Sequence, residues 1–206
     1  MDFDTAFTEL PLIAILRGLT AEESVEVASG LVDAGYRAIE VPLNSPDPLQ
    51  TIRNIADAFG DRIAVGAGTV YTGAEVRTVQ QAGGTFIVSP HLSVEVMSTA
   101  NQLGMQTCPG AQSLTEIANA VAAGATVVKL FPAQALSLDA FKAMLEVTPK
   151  TTRLVPVGGI DVNNIGDYKR AGAAGIGLGS SLYKAGRSSE EVAQRGNALA
   201  QAWNAG

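Results

Sequence analysis

The chain has 206 residues, 47% hydrophobic and 17% charged, enough for one substantial core and short for two. A net charge of −6 without any basic run argues against a nucleic-acid surface, although a local site on an acidic protein can still be positive. The single cysteine allows no internal disulfide, and one histidine with one cysteine does not make the usual zinc ligand set. No run of about 18 apolar residues is present to span a bilayer, so no membrane is expected. The opening stretch MDFDTAFTEL starts with acid and has no basic region before an apolar one. A secretory signal is therefore not expected, and the cytoplasm is the expected compartment.

In chain order, strands are expected near 12–17, 38–42, 63–67, 85–88, 105–108, 126–130, 153–157 and 174–178, with helices between them. The recurring signal is a helix-like stretch, a small residue or Leu followed by Gly, then an apolar run. It occurs at Ala34-Gly35, Ala82-Gly83, Leu103-Gly104, Ala123-Gly124 and Ala171-Gly172. Each glycine supplies a left-handed residue that ends a helix before a short buried strand. Thr20-x-x-Glu23 reads as a capping box opening the first helix, whose apolar side is Val25, Val27, Ala28, Leu31 and Val32. Pro46 and Pro48 favour the next helix start, and Ser113-x-x-Glu116 opens the fifth helix, followed by Ile117, Val121 and Ala122. Ser189, Glu190 and Glu191 suit the start of a last helix carrying Val192, Leu199 and Trp203, the last read as packing. Eight alternating units predict a single (β/α)8 TIM barrel domain, α/β in class, over residues 1–206. The rival is an open doubly wound sheet. A dinucleotide binder of that kind should show G-x-G-x-x-G after its first strand, and ILRGLT lacks it.

A barrel gathers the C-terminal ends of its strands on one face. Those ends carry Arg17, Glu40, Thr69, Pro90 with His91, Pro109, Lys129, Gly158-Gly159 and Gly179-Ser180. In VVKLFP, Lys129 stands among Val127, Val128, Leu130 and Phe131, whereas Lys142, Lys150, Lys169 and Lys184 fall in helices or connections and read as solvated. Desolvation would lower the pKa of such an amine and arm it to attack a carbonyl; the alternative is a lysine that reaches past the rim or pairs with a carboxylate. Glu40 interrupts an apolar strand in AIEVP and suits proton transfer, or an ion pair with Lys129 or Arg17. Arg17 fits a substrate carboxylate by a two-pronged hydrogen bond. The glycines after strands seven and eight fit the loops where barrels often bind phosphate, or simply make turns. Thr69 either donates to a bound carboxylate or bonds a neighbouring strand. Asn44 and Ser45 line the mouth or cap the following helix. His91 reads as a helix-start or solvent residue, and Cys108 as a small buried thiol.

Eight ordered landmarks also carry a resemblance over nearly the whole chain. They are LPLIAILRG, AIEVPLNSP, VGAGTV, IVSPH, CPG, KLFPA, VPVGGI and GLGSSLY. With them the chain resembles the pyruvate-producing, Schiff-base aldolases of 2-dehydro-3-deoxy-6-phospho sugar acids, the KDPG/KHG class I family. The resemblance implies an imine on Lys129, Glu40 as general acid/base, and Arg17, Thr69 and Pro90 around the pyruvate moiety. It implies phosphate at Gly158, Gly159, Gly179 and Ser180, a homotrimer, and no metal or other cofactor. Members acting on the gluconate form typically carry E-V-T-L-R-T and P-T-G-G. Glu40-Val-Pro-Leu-Asn-Ser45 and Pro156-Val-Gly-Gly159 are instead similar to the galactonate branch, which makes Val157 a C4 specificity position. The expected substrate is thus a small, anionic phosphorylated sugar acid cleaved to pyruvate and glyceraldehyde 3-phosphate. The gluconate epimer is the alternative. A phosphate-sugar isomerase or epimerase does not call for Lys129, and a non-catalytic sugar-acid sensor does not need Lys129 and Glu40 together.

Overall fold

The computed structural model describes residues 1–206. Strands β1 (Leu12–Ile15), β2 (Ala38–Pro42), β3 (Ala64–Gly68), β4 (Phe86–Val88) and β5 (Gln106–Cys108) pair in chain order, all parallel. A second parallel run joins β6 (Gly110–Ala111), β7 (Val128–Leu130) and β8 (Leu154–Pro156). β9 (Ile176–Leu178) closes the ring by pairing with β1, and a single bridge from Gly177 to Val157 reaches the end of β8. β5 and β6 form one stave interrupted at Pro109, which has no N–H to give to the ladder. The eight expected strands stand as eight staves, each overlapping its expected range. The open sheet is excluded because β9 meets β1 on one side and, through the Val157–Gly177 bridge, the end of β8 on the other.

Helix α1 (Phe3–Glu9) precedes the barrel. Around it lie α2 (Ser24–Asp33), α3 (Pro48–Phe59), α4 (Gly73–Gln81), α5 (Val94–Gln102), α6 (Leu114–Ala122), α7 (Leu138–Val147), α8 (Ile165–Arg170) and α9 (Ser189–Ala205). No helix is long and apolar enough to cross a membrane. Gly35, Gly83, Gly104, Gly124 and Gly172 all have positive φ, so the five helix-ending glycines do what the recurring pattern predicts. The Ser113–Glu116 capping box is complete, and α9 is capped by Ser188. The box at Thr20–Glu23 is only half made. Glu23 accepts from the Thr20 N–H at 3.1 Å, but α2 starts at Ser24 with no side-chain cap, and the same carboxylate oxygen takes the Tyr183 hydroxyl at 2.9 Å. Val25, Val121 and Ala122, read as apolar-face residues, are instead exposed. The buried stripes run through Val27, Ala28, Leu31 and Val32 on α2 and through Ile117 and Ala120 on α6.

Apolar burial falls into two bodies. The larger, of 45 residues, fills the layer between staves and helices. The smaller, of 13 residues, includes the barrel interior and is completed from below by α1, which the sequence reading did not anticipate. Asp2 caps α1 by accepting from the Thr5 N–H at 3.0 Å. Phe3 and Phe7 then lie one turn apart on the same face, and the Phe3 ring sits 4.6 Å from that of Phe86. A Cβ on Gly175 would lie 2.4 Å from the Phe7 ring, so the glycine makes room for the plug. Burying each phenylalanine contributes about 1.5–3 kcal/mol. The N-terminal mouth is thus closed by apolar packing, leaving the opposite mouth open.

Candidate active site

The C-terminal ends of the staves open into a cleft of about 1340 Å³. Its wall includes Arg17, Glu40, Thr69, Pro90, Lys129, Val157, Gly158, Gly159, Gly179 and Ser180, so every site residue chosen from the sequence meets there. Lys129 is the middle residue of β7 and only 9% exposed. Its N–H bonds the Pro109 carbonyl at 3.0 Å, fixing the backbone, while its amine lies 4.7 Å from the centre of the Phe131 ring. The ring face attracts the ammonium without tying it up in an ion pair. Lys129 makes no ion pair and no side-chain hydrogen bond, so nothing in the chain competes with a substrate carbonyl for it. Lys142, Lys150 and Lys184 are exposed as expected. Lys169 is not: it packs 5.3 Å from the Trp203 ring and donates to the Trp203 carbonyl at 2.8 Å.

Glu40 is the middle residue of β2, 2% exposed, and faces the interior beside β3. Gly68 makes its position possible, because a Cβ there would fall 1.7 Å from the Glu40 Oε1. Burial pushes the Glu40 carboxyl above the ordinary range, opposed by the charges of Lys129 and Arg17. The ion pair that the sequence allowed between Glu40 and either cation is absent, since neither forms a contact of 4.0 Å or less. The carboxylate therefore stays close enough to feel both charges and free enough to exchange a proton.

Arg17 follows β1 at the exposed rim. Its guanidinium donates to Asn44 Oδ1 and, at 3.4 Å, to Thr69 Oγ1. Thr69 has φ of 60°, a left-handed conformation uncommon for a threonine and concentrated at functional sites. Ser45 Oγ accepts from the Gly18 N–H at 2.9 Å, so Asn44 and Ser45 together orient the Arg17 loop. His91 is exposed and lies outside the cleft wall, its ring 5.6 Å from that of Tyr71. Cys108 is buried, and burial pushes its thiol up, in keeping with an inert packing role.

Across the cleft, Gly158 and Gly159 have φ of 103° and 73°, conformations in which a side chain would be strained. Residues 179–183 make one helical turn, with the Leu182 and Tyr183 N–H groups both 2.9 Å from the Gly179 carbonyl. The N–H groups of Gly158, Gly159, Ile160, Gly179, Ser180 and Ser181 donate to no protein acceptor. Such a cluster of free donors suits an anion. Val157 is buried beside Gly177, where a Cβ would meet a Val157 methyl at 2.5 Å.

Sequence reasoning missed Phe131, Gln134 and Tyr71 as parts of the wall. Gln134 packs over the glycine pair, with its Oε1 2.4 Å from where a Gly158 Cβ would stand. The only available signal was its nearness to KLFP. No three His, Cys, Asp or Glu side chains cluster so as to hold a metal ion.

Fold and cleft together define a parallel-barrel enzyme with a buried strand lysine and a buried carboxylate opening on one cleft. The family profile for KDPG and KHG aldolase matches residues 3–197, and the chain belongs to this aldolase family. It is 42% identical over 196 residues to the 2-dehydro-3-deoxy-6-phosphogalactonate aldolase of Escherichia coli (strain K12), spanning 95% of this chain and 96% of that one. It is 43% identical over 197 residues to a probable aldolase of the same description from Rhizobium meliloti (strain 1021), spanning 96% and 93%. A solved structure described as native KDPGal aligns with a TM-score of 0.95 at 41% identity, over 100% of this chain and 98% of that one.

Proposed function

We propose that residues 1–206 act as one aldolase domain that cleaves 2-dehydro-3-deoxy-6-phosphogalactonate to pyruvate and glyceraldehyde 3-phosphate through an imine on Lys129. The observation that carries this reading is a buried strand lysine, free of any ion pair, in the same cleft as a buried glutamate. The Lys129 amine adds to the C2 ketone and water leaves, giving a protonated imine. Glu40, directly or through a water, takes the C4 hydroxyl proton. The C3–C4 bond then breaks, its electron pair passes to the imine to form an enamine, and the aldehyde departs. Glu40 returns the proton to C3, and hydrolysis of the imine frees pyruvate and Lys129. The protonated imine is the electron sink, a task that a metal ion performs in other aldolases. A raised Glu40 pKa supports both halves of this proton exchange near neutral pH.

Arg17, oriented by Asn44 and Thr69, binds the substrate carboxylate, with Pro90 walling the pyruvate end. The free N–H groups around Gly158, Gly159, Gly179 and Ser180 receive the phosphate. The galactonate assignment is supported by the names of the two relatives and by Val157, whose methyl cannot give the hydrogen bond that a threonine would offer a C4 hydroxyl. A substrate that carries both a carboxylate and a phosphate does not cross a bilayer unaided, which supports the cytoplasm as the place of the reaction. Assembly as a homotrimer rests on the family resemblance alone.

Borohydride reduction in the presence of pyruvate tests the mechanism. A stable mass increase on the peptide containing Lys129, lost in K129A, is expected. Turnover without any adduct would reject the imine and favour a sugar-phosphate isomerase. Comparison of kcat/KM for the two C4 epimers tests the substrate, and a preference for the gluconate form would overturn that assignment alone.

A further inference from the structure

Behind the loop that follows β9 stands a set of three charged side chains. Arg187 donates from Nη1 to the Ser180 carbonyl at 3.0 Å, and Arg195 from Nη1 to the Ser181 carbonyl at 3.4 Å. Glu191 Oε1 joins them, 3.3 Å from Arg187 Nε and 2.8 Å from Arg195 Nε. Neither carbonyl accepts from a backbone N–H. Charged pairs spaced along a helix are usually solvated and contribute little. This set differs in two respects. The Arg187 side chain is only 14% exposed, and both guanidiniums direct a donor at the loop instead of at water. Arg187 takes no part in the cleft wall, whereas Ser180, Ser181, Glu191 and Arg195 do. Its reach into the site is through the peptide.

A trans peptide sets its N–H opposite its C=O. Holding the Ser180 carbonyl from outside therefore turns the Ser181 N–H the other way, and that N–H is one of the donors with no protein acceptor. A guanidinium at the carbonyl oxygen also polarises the amide and strengthens its N–H as a donor. Two guanidiniums against one carboxylate leave net positive charge behind the loop, the sign that favours a bound anion.

We propose that Arg187 is a positioning residue that holds and polarises the Ser180–Ser181 peptide for the substrate phosphate, while Arg195, linked to it by Glu191, fixes the next peptide, Ser181–Leu182. This rests on the phosphate reading of the Gly179–Ser180 loop given above.

The test compares wild type, R187Q and R195Q on the phosphorylated substrate and on its dephosphorylated form, 2-dehydro-3-deoxygalactonate. Wild type should prefer the phosphorylated compound. In R187Q the ratio of the two kcat/KM values should fall about tenfold, mainly through KM, and inorganic phosphate should inhibit about tenfold more weakly. R195Q, at the more exposed position, should show the same pattern at about threefold and serves if R187Q does not fold. Equal losses on both compounds, or an unchanged ratio in both variants, would overturn the positioning role. A wild type that does not prefer the phosphorylated compound would instead overturn the phosphate reading itself.

Discussion

Gly68→Ala isolates the position of Glu40 from every other feature of the site. The φ of Gly68 is not in the left-handed region, so the backbone tolerates alanine, and the conflict is purely steric. The added methyl would stand 1.7 Å from Glu40 Oε1, 2.5 Å from Cδ and 3.0 Å from Cγ. Reaching an ordinary contact of 3.4 Å requires the carboxylate oxygen to retreat by about 1.7 Å. A misplacement of about 1 Å at a reacting group costs on the order of 10²-fold in rate, and loss of a general base about 10²–10⁴-fold. G68A should therefore lose at least about 10² in kcat while still forming the borohydride-trapped pyruvate adduct on Lys129. Overpacking should also cost about 1–3 kcal/mol of stability. In the double variant E40A/G68A the clash is gone, so stability should recover while activity does not. Steady-state kinetics, adduct mass and thermal melting of the three proteins decide the matter. Wild-type turnover in G68A would refute the idea that Glu40 acts from its observed place.

Glu40→Gln should change how stability depends on pH. Burial raises the Glu40 pKa, so its contribution is present below the ordinary glutamate range and lost as pH rises through the raised value. E40Q should melt higher than wild type at neutral pH, with the gap closing toward acid; a gap that ignores pH would refute this. At the other mouth, Phe3→Ala removes a fully buried ring and should cost about 3–5 kcal/mol, lowering the melting temperature with kcat of the folded fraction retained. A large kcat effect below the melting transition would show that the plug is coupled to the site. Val157→Thr should shift the kcat/KM ratio toward the gluconate epimer by about tenfold, and an unchanged ratio would remove Val157 from specificity.

The barrel was legible because five helices end on glycines that must take positive φ, and those glycines mark where each following stave begins. The site was legible because charged residues inside apolar strands are rare enough to stand out, as Lys129 and Glu40 do. What escaped notice lacked such contrast. Helix α1 is short and acidic, and its signal was only Asp2 ahead of Phe3 and Phe7 at one-turn spacing. Glu23 satisfied the capping pattern on paper, but Tyr183, 160 residues away, shares its carboxylate. The Arg187–Glu191–Arg195 set reads in sequence as ordinary helix-surface charge, because its partners are carbonyls, which every residue possesses. Gln134 was invisible for a similar reason, since only the folded chain lays it over the glycine pair.

The single bridge between Val157 and Gly177 makes the barrel a hoop with one weak joint, since every other pair of neighbouring staves shares at least two register partners. The glycine loop after β8 lies on one side of that joint and the loop after β9 on the other. On the proposed phosphate reading, an anion held by both would work as a clasp, so that catching the substrate and cinching the hoop become one event. Amide protons along β8 and β9 should accordingly exchange more slowly once the phosphorylated ligand is bound, whereas pyruvate, which has no phosphate to span the two loops, should leave the joint breathing as before.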